Sequence, residues 1–308
     1  MSQKELDTNV ILSTYSLGKK KLFYPILTEN TFDDSVPFNP DLGSGSMNTH
    51  RVSENISLLY INLKPEHDLL FEVVNQGGKL NFSFVLESAD LPLFIDNINN
   101  LTIRGGENWL SGPTNYSAAR LYGENPVTTF TVWVDPAMIL DSLKNDNPDN
   151  IRLFEKIQDG DKGDSFVHTD LVDPEMRTII IQILNCPYNH RLKNMFLEGK
   201  ALELIALRLD QLFRNERARL SNKDLNPKDI DKMFYVRELL LKNISDPLSL
   251  SELAIKATTN TNKLKTMFKK VFGQSVFSFI REKRLEYARS LLLENDKNIS
   301  EIAYVSGY

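Results

Sequence analysis

The sequence predicts an α+β fold: a β-rich N-terminal domain, either a barrel or a sandwich, followed by a helical segment and an all-α C-terminal domain. Up to about Asp135, short apolar runs alternate with turn residues, and beyond it the apolar period is that of helices. A charged, polar stretch then precedes the last helices. We place the β-rich domain at 1–145, the helical segment at 146–215, a linker at 216–228 and the C-terminal domain at 229–308.

Four apolar runs in the N-terminal part have the length and composition of strands. They cover 56–63, 80–86, 114–121 and 127–134, and turn residues such as Gly, Asn and Pro lie between them. Several strands joined by close turns are typical of a sandwich or a small barrel.

Three helices are predicted after the last strand. Asp135 caps a helix over 136–143 that has proline at its first position, and two amphipathic helices follow at 174–185 and 191–213. The apolar face of the last helix comprises Leu192, Met195, Phe196, Leu202, Ile205, Leu209, Leu212 and Phe213. The helical segment is a candidate dimerisation element.

Composition excludes several classes of protein. The chain has 308 residues, of which 41 % are hydrophobic and 25 % charged, so two or three ordinary cores are expected. No apolar run approaches the roughly 18 residues that cross a bilayer. The N-terminus lacks the pattern of a secretory signal. Since Cys186 is the single cysteine, no internal disulfide can form, and we expect a cytoplasmic protein.

Charge is divided unevenly along the chain. Residues 1–225 carry 22 Lys and Arg against 31 Asp and Glu, a net charge of −9, whereas residues 226–308 carry 14 against 10, a net charge of +4. Between Lys263 and Arg284, seven basic residues accompany one acid, Glu282. A basic stretch in an acidic chain indicates a nucleic-acid partner, and a solvated helical face is the alternative.

A short helix start occurs twice in the C-terminal part. Ser249 is a helix cap, and Glu252 three residues later completes a capping box. Forty-nine residues further on, Asn298 and Glu301 repeat the pattern of cap, apolar residue, Ser, Glu, apolar residue and Ala. Such an internal repeat is more specific than either copy alone.

The first copy leads into a second, longer helix. Asn260 caps it and Gly273 ends it, while Leu264, Met267, Phe268, Val271 and Phe272 form its apolar face. Asn262, Lys265, Thr266 and Lys269 share the opposite face. Two capped helices joined by a tight turn, the second with a polar and basic face, predict a helix-turn-helix whose second helix enters the DNA major groove. A helical hairpin from a bundle would have the same apolar face, but the repeat, the caps and the positive charge favour DNA binding.

A long helix over 275–294 connects the two copies. Its apolar face is predicted to contain Phe277, Ile280, Leu285, Ala288, Leu291 and Leu292. Arg284 lies near the middle of that face, which predicts a structural arginine that is paired or snorkelling rather than one that contacts phosphate.

These motifs together resemble the AraC/XylS family of transcription regulators. The resemblance covers 229–308 and rests on Leu250-Ser-Glu-Leu-Ala254, Asn262-Lys-Leu-Lys265, Phe268-Lys-Lys-Val-Phe-Gly273, Arg284-Leu-Glu-Tyr-Ala288 and Ile299-Ser-Glu-Ile-Ala303. A shorter resemblance, over Asn185-Cys-Pro-Tyr188 and 197–204, is to the subgroup containing the pyochelin-responsive regulator. The family resemblance implies two helix-turn-helix units that read successive major-groove segments.

The sequence departs from the family pattern in two places. Thr258 stands where the family usually has glycine, so a β-branched residue is expected in a strained turn. The chain also ends at Tyr308, which by the 49-residue offset matches Thr259, so the second helix-turn-helix is expected to be incomplete and 299–308 to be frayed or poorly packed.

The resemblance and the polar face together assign site residues and partners. Base edges are expected to be contacted by Asn262, Lys265 and Thr266, and the DNA backbone by Thr261, Lys269 and Lys270. The expected partners are double-stranded DNA, a small-molecule effector and a second copy of the chain. A siderophore-like molecule is the candidate effector. No cofactor is expected.

No catalytic or metal-binding constellation is visible in the sequence. The four histidines are scattered, the acidic run at 159–164 departs from a calcium loop, and Gly43 and Gly45 lack the lysine of a phosphate loop. We therefore expect no enzyme and no metal site. Some of the strand aromatics are candidates to line an effector cavity: Phe82, Phe84, Tyr116, Tyr122, Phe130 and Trp133.

Two functions from different classes remain open. The first is a sequence-specific DNA-binding regulator that responds to a small molecule, and the second is a ligand-binding or protein-interaction module whose helical tail docks a protein. Salt separates them, because DNA binding weakens steeply as salt rises and an apolar docking face does not.

Overall fold

The computed structural model describes residues 11–16, 21–25, 34–37, 42–74, 78–96, 98–114, 116–144, 146–159, 165–221, 226–294 and 298–308. The chain divides into two compact units. The first comprises Met1–Val172 and Tyr188–Ala201, and the second comprises Asp173–Pro187 and Leu202–Tyr308. The domain boundaries predicted above stay a prediction.

Antiparallel strands make up most of the first unit. In the described residues they are β1 Ile11–Ser16, β2 Lys21–Pro25, β3 Asp34–Pro37, β4 Gly43–Arg51, β5 Ile56–Pro65, β6 Leu69–Val74, β7 Leu80–Glu87, β8 Asp90–Ile95, β9 Ile98–Arg104, β10 Glu107–Ser111, β11 Tyr116–Leu121, β12 Val127–Val134 and β13 Val167–Leu171. The four predicted strands are confirmed as β5, β7, β11 and β12.

These strands form two sheets. One has the order β2-β1-β6-β11-β8-β9, and the other has the order β13-β10-β7-β12-β5-β4-β3. Strand β12 is buried along its whole length because it pairs with β5 on one side and β7 on the other and both of its faces are covered. The main apolar cluster of this unit takes residues from both sheets, including Leu63, Leu69, Leu91 and Trp133. The predicted β-rich N-terminal domain is therefore confirmed.

The helices follow in chain order. They are α1 Pro136–Leu143, α2 Pro148–Asp159, α3 Pro174–Leu184, α4 His190–Ser221, α5 Pro227–Lys242, α6 Leu250–Lys256, α7 Thr261–Phe272, α8 Val276–Glu294 and α9 Ile299–Val305. The expectation of an all-α C-terminal part is confirmed. Of the helices within the described ranges, none combines the length and apolarity that crossing a bilayer requires.

Side-chain caps set the helix starts that the sequence predicts. The carboxylate of Asp135 accepts from the N–H of Ala137 at 2.8 Å, and the capping boxes at Ser249 and Asn298 both form. Each cap satisfies one of the donors that a helix N-terminus leaves without an intrahelical partner.

Two expectations about the helices differ from the structure. Helix α4 continues to Ser221, so 216–221 is helical rather than linker, while 222–225 lie outside the described residues, as do 160–164 of the acidic run. The apolar faces predicted for α4 and α8 are buried only in part, and the exposed members are Leu192, Met195, Leu202, Phe277, Leu285 and Leu292. Helix propensity and polar composition cannot distinguish a charged linker from an exposed helix end.

The C-terminal helices share a second apolar cluster. Leu253, Leu264 and Phe268 are fully buried there, and they pack with residues of α5 and α8 such as Val236 and Phe279. The rings of Phe268 and Phe279 meet edge to face at 5.7 Å. This cluster fixes α7 against α5, α6 and α8.

The expectation that 299–308 is frayed or poorly packed holds in part, because Ile299–Val305 form a regular helix while Ile299, Tyr304 and Tyr308 are exposed. Helix α9 has a complete capping box, and Ile302 and Ser306 are buried. The Ser245 hydroxyl also donates a hydrogen bond to the carbonyl oxygen of Val305. Packing on the rest of the unit supplies the stability that an isolated short helix lacks, although the side chain of Ile299 stays 79 % exposed.

Candidate nucleic-acid interface and internal cavity

Helices α6 and α7 form a helix-turn-helix. Helix α6 ends in a Schellman motif, in which the N–H of Thr258 donates to the carbonyl of Ile255 and the N–H of Thr259 donates to the carbonyl of Ala254. Thr258 occupies the left-handed position of this motif with φ of +49°. The expectation of a β-branched residue in a strained turn is confirmed.

Helix α7 begins and ends at the predicted residues. The side chain of Asn260 accepts from the N–H of Lys263 at 2.8 Å, and Gly273 ends the helix with φ of +74°. Leu264, Phe268 and Val271 turn their side chains into the core. The opposite face is thereby directed to solvent.

That exposed face carries the residues predicted to contact DNA. Asn262, Lys265, Thr266, Lys269 and Lys270 are exposed, whereas Thr261 is half-buried. Four of them, from Lys265 to Lys270, border one shallow depression on the surface of α7. The structure thus gathers the polar residues into one accessible, basic surface.

Two basic residues of the same region make contacts within the unit instead of facing solvent on the polar side of α7. Lys263 Nζ pairs with Asp229 Oδ2 of α5 at 2.8 Å, which ties the start of α7 to α5. Arg284 donates from Nε to the carbonyl oxygen of Ile244 at 2.9 Å and from Nη2 to that of Ser245 at 3.1 Å. The predicted structural role of Arg284 is confirmed.

An apolar cavity of about 70 Å³ lies between the two sheets of the first unit. Strands β5 and β12 each contribute alternate residues to its lining, and alternate residues of a strand point to the same face of the sheet. From these two strands the lining residues are Leu59, Ile61, Leu63, Val127, Thr129, Thr131 and Trp133. One face of this sheet therefore forms a wall of the cavity.

Only one of the aromatic residues predicted as candidates for the lining is found there. Trp133 lines the cavity. The remaining candidates lie outside the lining, and they are the buried Phe82, Phe84 and Phe130 and the half-buried Tyr116 and Tyr122. Strand composition identifies core aromatics but does not show which face of the sheet each one occupies.

Trp109, which was not among the predicted lining residues, lines the same cavity from β10. The indole N–H groups of Trp109 and Trp133 are both buried, and neither has a hydrogen-bond partner among the described residues. A buried donor without an acceptor is unfavourable.

The His, Cys, Asp and Glu side chains are spread apart in the described residues. Within those ranges, no three His, Cys, Asp or Glu side chains lie close enough together to hold a metal ion.

Comparisons with known proteins agree with this geometry. The family model described as "Regulatory protein PchR N-terminal domain" matches residues 43–225, and the model described as "Helix-turn-helix domain" matches residues 253–308. Regulatory protein PchR of Pseudomonas aeruginosa is 28 % identical over 184 residues, which are 60 % of this chain. The match spans 60 % of the length of that curated relative.

Two solved structures align over most of the chain with low scores. ToxT from Vibrio cholerae is 15 % identical, with 83 % of this chain and 90 % of that one covered and a TM-score of 0.31. The AraC-like transcriptional activator CuxR is 9 % identical, with 87 % of each chain covered and a TM-score of 0.34.

Proposed function

The chain belongs to the family defined by the N-terminal domain of regulatory protein PchR, and we propose that it is a transcription regulator that binds DNA in response to a small molecule. The observation that carries this proposal is the face of α7. Five polar residues are exposed there, opposite a buried apolar face that fixes the helix in its unit. This arrangement suits insertion into a major groove.

Individual roles follow from side-chain chemistry. We assign base contacts to Asn262, Lys265 and Thr266, since amide, ammonium and hydroxyl groups can bond to base edges. Thr261, Lys269 and Lys270 are assigned to the DNA backbone, where cations neutralise phosphates.

The test uses a duplex that the chain itself selects from a randomised library. We expect Lys265→Ala to cost about 1–3 kcal/mol and to relax specificity at one position, and Lys269→Ala to weaken all sequences alike and flatten the salt dependence. Lys228→Ala is the matched control, because Lys228 is exposed on α5 rather than α7. Binding that does not change with salt would instead favour the protein-docking alternative.

We place the effector in the cavity between the sheets. Its apolar lining suits an apolar or aromatic molecule, and acceptor atoms on that molecule would satisfy the buried indole N–H groups of Trp109 and Trp133. A siderophore with phenolic and carboxylate oxygens meets both requirements. Because effector pockets commonly measure about 300–1,000 Å³, a cavity of about 70 Å³ must enlarge when such a ligand binds.

Tryptophan fluorescence tests this assignment directly, because both tryptophans of the chain line the cavity. Titration with pyochelin, with and without ferric iron, is expected to change the emission. Ala118→Leu, which fills the cavity, should abolish the change, and Ala137→Leu on the exposed surface of α1 should not. An unchanged response in Ala118→Leu would place the ligand elsewhere.

We also propose that α4 pairs with α4 of a second copy. The side chains of Leu192, Met195 and Leu202 are 60 %, 70 % and 42 % exposed at heptad-like spacing. In this dimer the two α4 helices run antiparallel about a two-fold axis near the middle of the stripe. Leu192 of one copy then contacts Leu202 of the other, and Met195 contacts Gly199. Gly199 has open space at its Cβ position, which leaves room for the methionine side chain. The same antiparallel alignment places Arg191 opposite Glu203.

Sedimentation measures this association. Met195→Glu is expected to yield monomers because it places a charge in the apolar interface. Arg191→Glu should weaken the dimer, and the double variant Arg191→Glu with Glu203→Arg should restore it. A monomeric unsubstituted chain, or a dimer unaffected by Met195→Glu, would contradict this surface.

A further inference from the structure

The carboxylate of Asp173 joins three helices of the second unit. Its Oδ1 lies 3.6 Å from Arg237 Nη2 of α5 and 3.9 Å from Lys283 Nζ of α8. Gln211 Nε2 of α4 donates to Oδ2 at 3.4 Å. Asp173 itself occupies the N-cap position of α3, yet its side chain makes no capping hydrogen bond. The carboxylate therefore contacts side chains of neighbouring helices instead of capping its own helix.

These charges are buried together. The side chains of Asp173, Arg237 and Lys283 are 10 %, 8 % and 14 % exposed. Lys283 Nζ also pairs with Glu286 Oε2 at 2.7 Å, and burial raises the pKa of the Glu286 carboxyl. Charged pairs that are shielded from water interact strongly, and removal of one partner leaves an uncompensated buried charge.

The chain immediately before Asp173 is fixed to the wall of the cavity. Strand β13 pairs with β10, with Thr169 opposite the cavity residue Trp109. The side-chain amide of Asn108 donates to the carbonyl oxygen of Leu171 at 2.8 Å. The N–H of Val172 donates to the carbonyl of Gly106, also at 2.8 Å. A shift of β10 must therefore carry β13 and Val172 with it.

We infer that Asp173 transmits changes in the cavity wall to the helices that hold the helix-turn-helix. A ligand that enlarges the cavity displaces β10 and β13, and the peptide bond from Val172 passes that displacement to Asp173. Because Arg237 and Lys283 lie on α5 and α8, which pack against α7, moving the carboxylate changes the support of the recognition helix. This inference rests on the proposed effector-responsive DNA binding.

Reciprocity gives a test that needs no effector. If the cavity influences DNA affinity, DNA must influence the cavity by the same coupling free energy. Both tryptophans line the cavity, so their emission reports its state when a selected duplex is added to the full chain. We expect the duplex to shift the emission of the unsubstituted chain.

Asp173→Asn is expected to bind the duplex while losing most of that emission shift, and Asp173→Glu should recover part of it. Asp210→Asn, which removes an exposed carboxylate paired with Arg214 of the same helix, is the matched control and should keep the full shift. If Asp173→Asn fails to fold, Lys283→Gln tests the same cluster from its more exposed side.

Each result bears on the inference. A duplex that binds without shifting the emission, or an equal shift in the Asp173 and Lys283 variants, would overturn it while leaving DNA binding intact. A chain that binds no duplex at all would overturn the proposed function first, and the inference would fall with it.

Discussion

Thr258 and Gly307 occupy the same position in the two copies of the repeated helix, 49 residues apart in the sequence. Each is the left-handed residue of a Schellman motif, with φ of +49° at Thr258 and +84° at Gly307. One copy therefore meets the backbone requirement with a β-branched residue and the other with glycine. This pair allows the cost of that choice to be measured within one chain.

Thr258→Gly should stabilise the chain. A non-glycine residue in the left-handed region costs about 1–2 kcal/mol, and the greater freedom of glycine in the unfolded state offsets about 0.5–1 kcal/mol of that gain. We expect a net increase of about 0.5–1 kcal/mol in the free energy of unfolding, measured in urea. Thr259→Gly, at a position without positive φ, should lower the free energy of unfolding. Equal effects of the two substitutions would mean that the turn stores no strain.

Gly307→Ala should destabilise the chain by more than Gly273→Ala. Both residues have positive φ, but a Cβ at Gly307 would lie 2.5 Å from the carbonyl oxygen of Ser245 and 2.6 Å from Arg284 Nη2, whereas nothing lies within 4 Å at Gly273. We expect backbone strain to lower the free energy of unfolding by about 1–2 kcal/mol at both positions, and the close contact to lower it further at Gly307 alone. Thermal unfolding of the two variants measures the difference, and equal losses would refute the close contact.

Arg284→Lys should lower stability although it keeps the charge. Lysine cannot reproduce the planar fork that reaches the carbonyls of Ile244 and Ser245. We expect a loss of about 1–3 kcal/mol in the free energy of unfolding, against little change for Arg289→Lys on the exposed side of α8. Arg284→Gln, which removes the charge, should leave the salt dependence of DNA binding unchanged, and a flatter one would show that Arg284 contacts phosphate.

The capping box of α6 should make stability depend on pH at the acid side. Hydrogen bonds from the side chain and the backbone N–H of Ser249 lower the pKa of Glu252 below its ordinary value of 4.5. Because the folded-state pKa is depressed, this contribution is present above the ordinary value and is lost as pH falls through the lowered one. The stability difference between the unsubstituted chain and Glu252→Gln should therefore shrink on acidification from about pH 7 to about pH 3. A difference that stays constant with pH would exclude the ionised cap.

Local patterns sufficed for the elements whose signals lie close together in the chain. The caps at Asp135, Ser249, Asn260 and Asn298 were predictable because a cap and its N–H partner are two or three residues apart. The polar face of α7 was predictable for the same reason, since helical spacing alone puts its residues on one side. Strand β12 was predictable from its composition.

Other features depend on residues that are distant in the sequence. Which apolar residues of α4 and α8 are covered depends on what packs against them, so the exposure of Leu192 and Phe277 could not be predicted from periodicity. Lys263 belongs to the basic cluster in the sequence, yet Asp229 of another helix pairs with it. A pair that is so far apart in the chain leaves no local signal.

The β-rich and helical parts, the helix-turn-helix and its exposed face follow from residue spacing along single elements, so they could be predicted from the amino-acid order. The position of the cavity, the presence of both tryptophans in its lining and the contacts of Asp173 with Arg237 and Lys283 emerge only in the folded chain. These relationships join strands and helices that are far apart in the chain. Their geometry is set by sheet pairing and core packing rather than by any periodicity of the sequence.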